Sequence, residues 1–197
     1  LLIPGVRTIV LALLAMGVIG GAIDVAVVAF ANAQGWPASA TFILAAYAFG
    51  SLVAGLTFGA MRVSLAIEKQ FLIGILVTAF TGVLPVFATD VYVLTAALFI
   101  AGISFAPTMV VVMKMGTIII PPSRITEGLT WMTTGISVGV ALGGMLAGMV
   151  IDTFGARAGF AVAIGAGLMM VVVVLVGLRT LAAASAVQVD PEFLPSP

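Results

Sequence analysis

One carboxylate stands inside an otherwise apolar stretch, and no other residue in this chain is so well placed to do chemistry. The stretch is 8–32, TIVLALLAMGVIGGAIDVAVVAFAN, and the acid is Asp24. A run of about 20 apolar residues crosses the hydrocarbon core of a bilayer. A carboxylate within such a run is costly and faces a bundle interior or water, which makes it a functional candidate by default. A carboxyl drawn out of water can bind and release protons near neutral pH. Two readings stay open. Asp24 is a protonatable group on a transport path, or it is a structural acid bonded to a hydroxyl or paired with a base near the helix ends. Gly17 and Gly21 precede it on the same side of a helix. Glycines in membrane helices serve where another helix comes close. The spacing therefore predicts that Asp24 turns inward, towards protein.

Other chemistry is thin. Histidine and cysteine are both absent, which removes serine–histidine triads, thiol catalysis, disulfides and His- or Cys-ligated metals. No second intramembrane acid pairs with Asp24, so an intramembrane enzyme lacks its parts. No enzyme, metal or cofactor is expected. The formal net charge is zero and there is no basic tract, so nothing points to nucleic acid.

The remaining polar groups are hydroxyls on apolar segments. In 126–151, Gly135, Gly139 and Gly143 share one side of a helix, and Thr130, Thr133 and Ser137 share roughly the opposite side. The glycine side is expected to pack closely on a neighbour. The hydroxyl side either packs as well or lines a polar path. In 39–61, Gly55 and Gly59 make a further small-residue pair for helix packing. In 91–113, Pro107 frees a backbone carbonyl. Ser104 and Thr108, four apart around it, either satisfy that broken backbone or line a cavity. Met109 either fills the core or adapts to an apolar ligand.

The elements that must hold these groups follow from hydropathy. At 63% hydrophobic and 7% charged, the chain is an integral membrane protein. Six spans are read, at 8–32, 39–61, 70–89, 91–113, 126–151 and 158–180. Pro85 falls inside the third, and Ser123 is a candidate cap for the fifth. Residues 1–7 lack the form of a signal peptide. They are expected to be a cytoplasmic linker cut from a longer or processed chain. Residues 181–197 turn polar and proline-rich, and are expected to be a disordered cytoplasmic tail. Arg7, Arg62, Lys69, Lys114, Arg124 and Arg179 fall on one side of these spans and Arg157 alone on the other. That bias predicts cytoplasmic termini, with Trp36 at the outer interface. The first three spans then run opposite to the last three, the topology of inverted repeats.

Four stretches carry a family resemblance. They are GVIGGAID in the first span, GSLVAGLTFGAMR ending the second, AGISFAPTM in the fourth, and EGLTWMTTGISVGVALGGMLAGMVIDTFGARAGF through the fifth and its exit. Together they resemble the C-terminal six-helix half of a major facilitator superfamily transporter, of the bacterial drug- and sugar-efflux-like kind. The resemblance covers roughly 4–181. It implies an all-α fold of two inverted three-helix repeats. The first and fourth helices would line a central cavity, the second and fifth would flank it, and the third and sixth would lie outside. Asp24, Ser104, Thr108 and Met109 would stand on cavity helices. The resemblance also implies a small-molecule substrate, partnership with protons, an N-terminal half across the cavity, and the bacterial plasma membrane as location. The competing expectation is a stand-alone six-helix protein that self-associates as a channel or small transporter.

Overall fold

The computed structural model describes residues 4–61 and 63–188. Six long helices account for most of them: α1 (Pro4–Ala33), α2 (Ser39–Ala60), α3 (Ile67–Thr81), α4 (Val91–Ile119), α5 (Ile125–Phe154) and α6 (Phe160–Gln188). The described residues contain six helical segments long and apolar enough to cross a membrane.

Their ends differ from the expected spans where proline or glycine intervenes. The third span was expected to run to 89. Instead α3 stops at Thr81, and Pro85 opens a 3-10 turn at Leu84–Phe87. Proline lacks the N–H for the next helical bond, and its ring crowds the carbonyl four residues back. The fourth helix continues past Lys114 to Ile119, because nothing breaks it before Pro121. Ile120, just before that proline, is extended, as a pre-proline residue prefers. Ser123 does not cap α5. It lies in the 3-10 turn Pro122–Arg124, and the cap position is Arg124, with no side-chain cap. The fifth helix runs through Asp152 and ends at Gly155, whose φ of +89° suits glycine. The last helix extends to Gln188, past the expected end at 180. Residues 189–197 of the expected tail, and 1–3 of the expected linker, lie outside the described residues.

The packing has an internal symmetry. The tightest pairs are α1 with α5 and α2 with α4, followed by α1 with α6 and α3 with α4. Exchanging α1 with α4, α2 with α5 and α3 with α6 leaves this pattern unchanged. The exchanged helices run in opposite directions, so the two three-helix units are inverted repeats. Backbone contacts repeat the relation. A Cβ on Gly17 or Gly21 of α1 would strike the carbonyls of Ile136 or Val140 on α5. A Cβ on Gly102 of α4 would likewise strike the carbonyl of Tyr47 on α2.

The core is largely α1. Its buried side chains include Ile9, Leu13, Met16, Ile23 and Phe30, met by Leu98 and Met115 of α4 and Phe160 and Met170 of α6. By contrast α2 and α5 are the least buried helices. On α2, Phe42, Phe49, Leu52 and Leu56 are all exposed.

The end away from the basic residues is tied at one carbonyl. Thr89 O accepts from Gln34 Nε2 at 3.0 Å and from Arg157 Nη2 at 3.2 Å. The same guanidinium lies 5.9 Å from the centre of the Phe30 ring, within cation–π range. One residue on, Asp90 caps α4. Its Oδ1 accepts from the amides of Tyr92 at 2.9 Å and Val93 at 3.0 Å.

Candidate functional site

The glycine side of α5 packs as its spacing predicts. A Cβ on Gly139 or Gly143 would run into the carbonyls of Leu14 or Val18 on α1, and one on Gly135 would lie 3.0 Å from Val10 O. With Gly17 and Gly21 opposite, α1 and α5 touch backbone to backbone. On α2 the expectation holds only in part. Gly55 approaches Ala106 of α4, with 3.2 Å between a built Cβ and its Cβ. Gly59 has open space where its Cβ would be, so it packs on nothing described. The close α2–α4 contact is made by Gly50, against Phe99 O, and by Gly102. Gly59 sits at the helix end, past the point where the two helices touch.

Asp24 is not inside the bundle. It is exposed, at the rim of the α1–α5 contact rather than within it. Three residues turn a helix by about 300°, so Asp24 stands about 60° round from Gly21 and off the line of contact. Val140 and Gly144 of α5 meet Gly21 and Val25 of α1. Asp24 therefore opens beside that seam. Among the described residues it accepts no hydrogen bond. The structural role, a bond to a hydroxyl or a base, is not taken up among the described residues.

A buried polar group on α2, Tyr47, was missed by sequence reasoning. The Tyr47 ring packs 6.0 Å from Phe105 of α4. Its hydroxyl is buried and has no hydrogen-bond partner among the described residues. Its helix, α2, touches α1, which carries Asp24. A lone tyrosine in LAAYAFG carries no periodic signal, and only the packing of α2 on α4 buries its hydroxyl.

The hydroxyl side of α5 borders the same seam. Thr130, Thr133 and Ser137 are all exposed. Thr130 and Thr133 bond their own helix's carbonyls, at Thr126 and Leu129. Together with Thr126, Leu129 and Thr134 they line an open hollow. Gly144 falls seven residues beyond Ser137, hence on the same side, and it is Gly144 that touches Val25. The stripe thus leads from the basic end of α5 to the level of Asp24.

The expected cavity residues of α4 go elsewhere. Ser104 and Thr108 are buried against α3. Thr108 Oγ1 donates to Ser104 O at 2.8 Å, and Thr78 Oγ1 lies 2.9 Å from Thr108 Oγ1. Thr81 Oγ1 lies 2.7 Å from Ser104 Oγ, which itself donates to Ala101 O. This network joins α4 to α3 around Pro107, and among the described residues none of these hydroxyls bonds Ile103 O, the carbonyl that Pro107 leaves without its helical donor. They do not face the Asp24 side. Met109 is partly buried and packs on the core.

A family model, Major Facilitator Superfamily, matches residues 7–193. The chain belongs to the major facilitator superfamily. It is accordingly an integral membrane transporter protein, and its six apolar helices form two inverted three-helix repeats. No curated protein matches the chain. In this major facilitator chain, Asp24 of α1 and the α5 hydroxyls of Thr130, Thr133 and Ser137 are exposed along the α1–α5 contact.

Proposed function

We propose that this chain is one half of a proton-coupled secondary transporter for a small organic molecule. It would work by alternating access, rocking against an N-terminal half. Asp24 is the proton or substrate site, and Thr130, Thr133 and Ser137 line the path to it. The supporting observation is that Asp24 lies exposed within a membrane-spanning helix, accepting no hydrogen bond and flanked by a hydroxyl stripe. A lipid-facing carboxylate without partners would be costly, so this side faces a polar path. By the basic-residue bias, both termini lie in the cytoplasm, and the membrane is a bacterial plasma membrane.

The test is Asp24→Asn in the whole protein, in inverted vesicles with an imposed pH gradient. The vesicles are offered a panel of sugars and lipophilic cationic dyes. Gradient-driven movement of the transported compound is expected to disappear in the variant while the protein still inserts. Undiminished coupled movement by Asp24→Asn would remove Asp24 from the mechanism.

A further inference from the structure

A second hollow, of about 370 Å³, lies between α2, α3 and α4, apart from the Asp24 side. Ile73 and Val77 of α3 line it together with Ile100, Ile103, Pro107 and Val111 of α4. Thr81, Ser104 and Thr108 also border it. Their hydroxyls are engaged with one another and with backbone carbonyls, so the hollow offers hydrocarbon almost throughout.

Its shape follows from the helices. The lining runs from Gln70 to Thr81 on α3 and from Val111 back to Ile100 on α4. With about 1.5 Å of rise per residue, each interval spans about 16 Å. Half of a hydrocarbon core is about 15 Å, the depth that one acyl chain occupies in its leaflet. Val63 and Leu65, in the turn between α2 and α3, mark the end near the membrane surface.

Two cations stand at that end. Lys69 lies four residues before Ile73 on α3, and Lys114 lies seven beyond Pro107 on α4. Those spacings put both on the lining faces of their helices, and both are exposed. The nearest acid along the chain, Glu68, is about 100° round α3 from Lys69.

We propose that this groove binds one acyl chain of an anionic glycerophospholipid, with the phosphate held between Lys69 and Lys114. Length and apolar lining match the chain, and the paired lysines match the headgroup. A zwitterionic lipid would fill the groove but gain less from the lysines.

Native mass spectrometry of the whole protein, released from nanodiscs of equal phosphatidylglycerol and phosphatidylcholine, tests this. A retained phosphatidylglycerol adduct is expected in excess over phosphatidylcholine. Lys69→Gln and Lys114→Gln should each lower that excess about 5-fold. Val77→Trp should fill the groove and displace the adduct, whereas Val53→Trp, exposed on α2, should leave it in place. Where Val77→Trp fails to fold, Ile103→Phe fills the same groove from α4. Equal retention of the two lipids, or an adduct indifferent to both groove-filling variants, overturns the proposal.

Discussion

Asp24 and Asp90 carry the same group in opposite settings. At the watery end of α4, Asp90 has backbone amides aimed at it. The Val93 amide above all, helped by the Thr89 hydroxyl and the Tyr92 amide, holds its carboxyl below the usual carboxylate range. A carboxyl lowered on folding stabilises the fold fully above its unfolded value, about 4, and loses that contribution as pH falls through the lowered native value. Asp90→Ala should therefore melt at a lower temperature than the parent near neutral pH. The gap should close as the pH falls through the acid range. Thermal unfolding in detergent across pH reads this directly, and a gap that stays constant to low pH would rule out the cap as its source. Asp24 has no such donors among the described residues. It stands exposed beside the α1–α5 contact.

At the scale of elements, the molecule depends on how closely helix backbones approach. Where the glycines of α1 and α5 meet, the atoms a side chain would strike are carbonyl oxygens, which cannot swing aside as a flexible side chain can. Gly139→Ala should destabilise the fold by about 1–3 kcal/mol, the usual cost of overpacking a fitted contact. Gly59→Ala is the matched control. It adds a methyl to open space, and alanine is favoured over glycine in a helix by up to about 1 kcal/mol. Melting temperatures should thus move in opposite directions for the two variants. Equal effects would show that propensity, and not approach, governs both. The α3–α4 pair is held differently. There the hydroxyls of Thr78, Thr81, Ser104 and Thr108 bond one another and the Ser104 carbonyl across the contact.

Over the whole molecule, the two least buried helices flank the Asp24 side, and the most buried one carries Asp24. This distribution suits a half-transporter whose other wall is an N-terminal half. It also bears on the alternative of self-association, since a second copy would meet the same surfaces. Absence of cysteine allows a direct probe of what this side faces. Thr133→Cys, on the hydroxyl stripe, should react with a membrane-impermeant maleimide in the whole protein. Val176→Cys, on the exposed apolar side of α6, should stay unlabelled in the bilayer. Labelling of neither position would mean that the stripe of α5 packs against protein or lipid and lines no path.

Composition and spacing alone determined the class of molecule, the six spans and the close-packing side of α5. Hydropathy is summed along the chain, and glycines four apart share a side of any helix, so neither depends on the fold. The ends of α3 and α4 were misjudged, because a hydropathy window does not feel the local geometry that Pro85 and Pro121 impose. Asp24 was legible as a candidate but not in its orientation. Its distance from Gly21 leaves it on a related side, and only the line of contact with α5 decides that this side is the rim. Ser104 and Thr108 were sent to the central cavity because α4 as a helix belongs there. Which way each residue of α4 points depends on where α3 docks, a long-range fact with no periodic trace. Tyr47 was invisible for the same reason. The tertiary structure sets it against Phe105 because α2 packs on α4 through Gly50 and Gly102, and nothing in the local sequence of a tyrosine states what the neighbouring helix will place beside it.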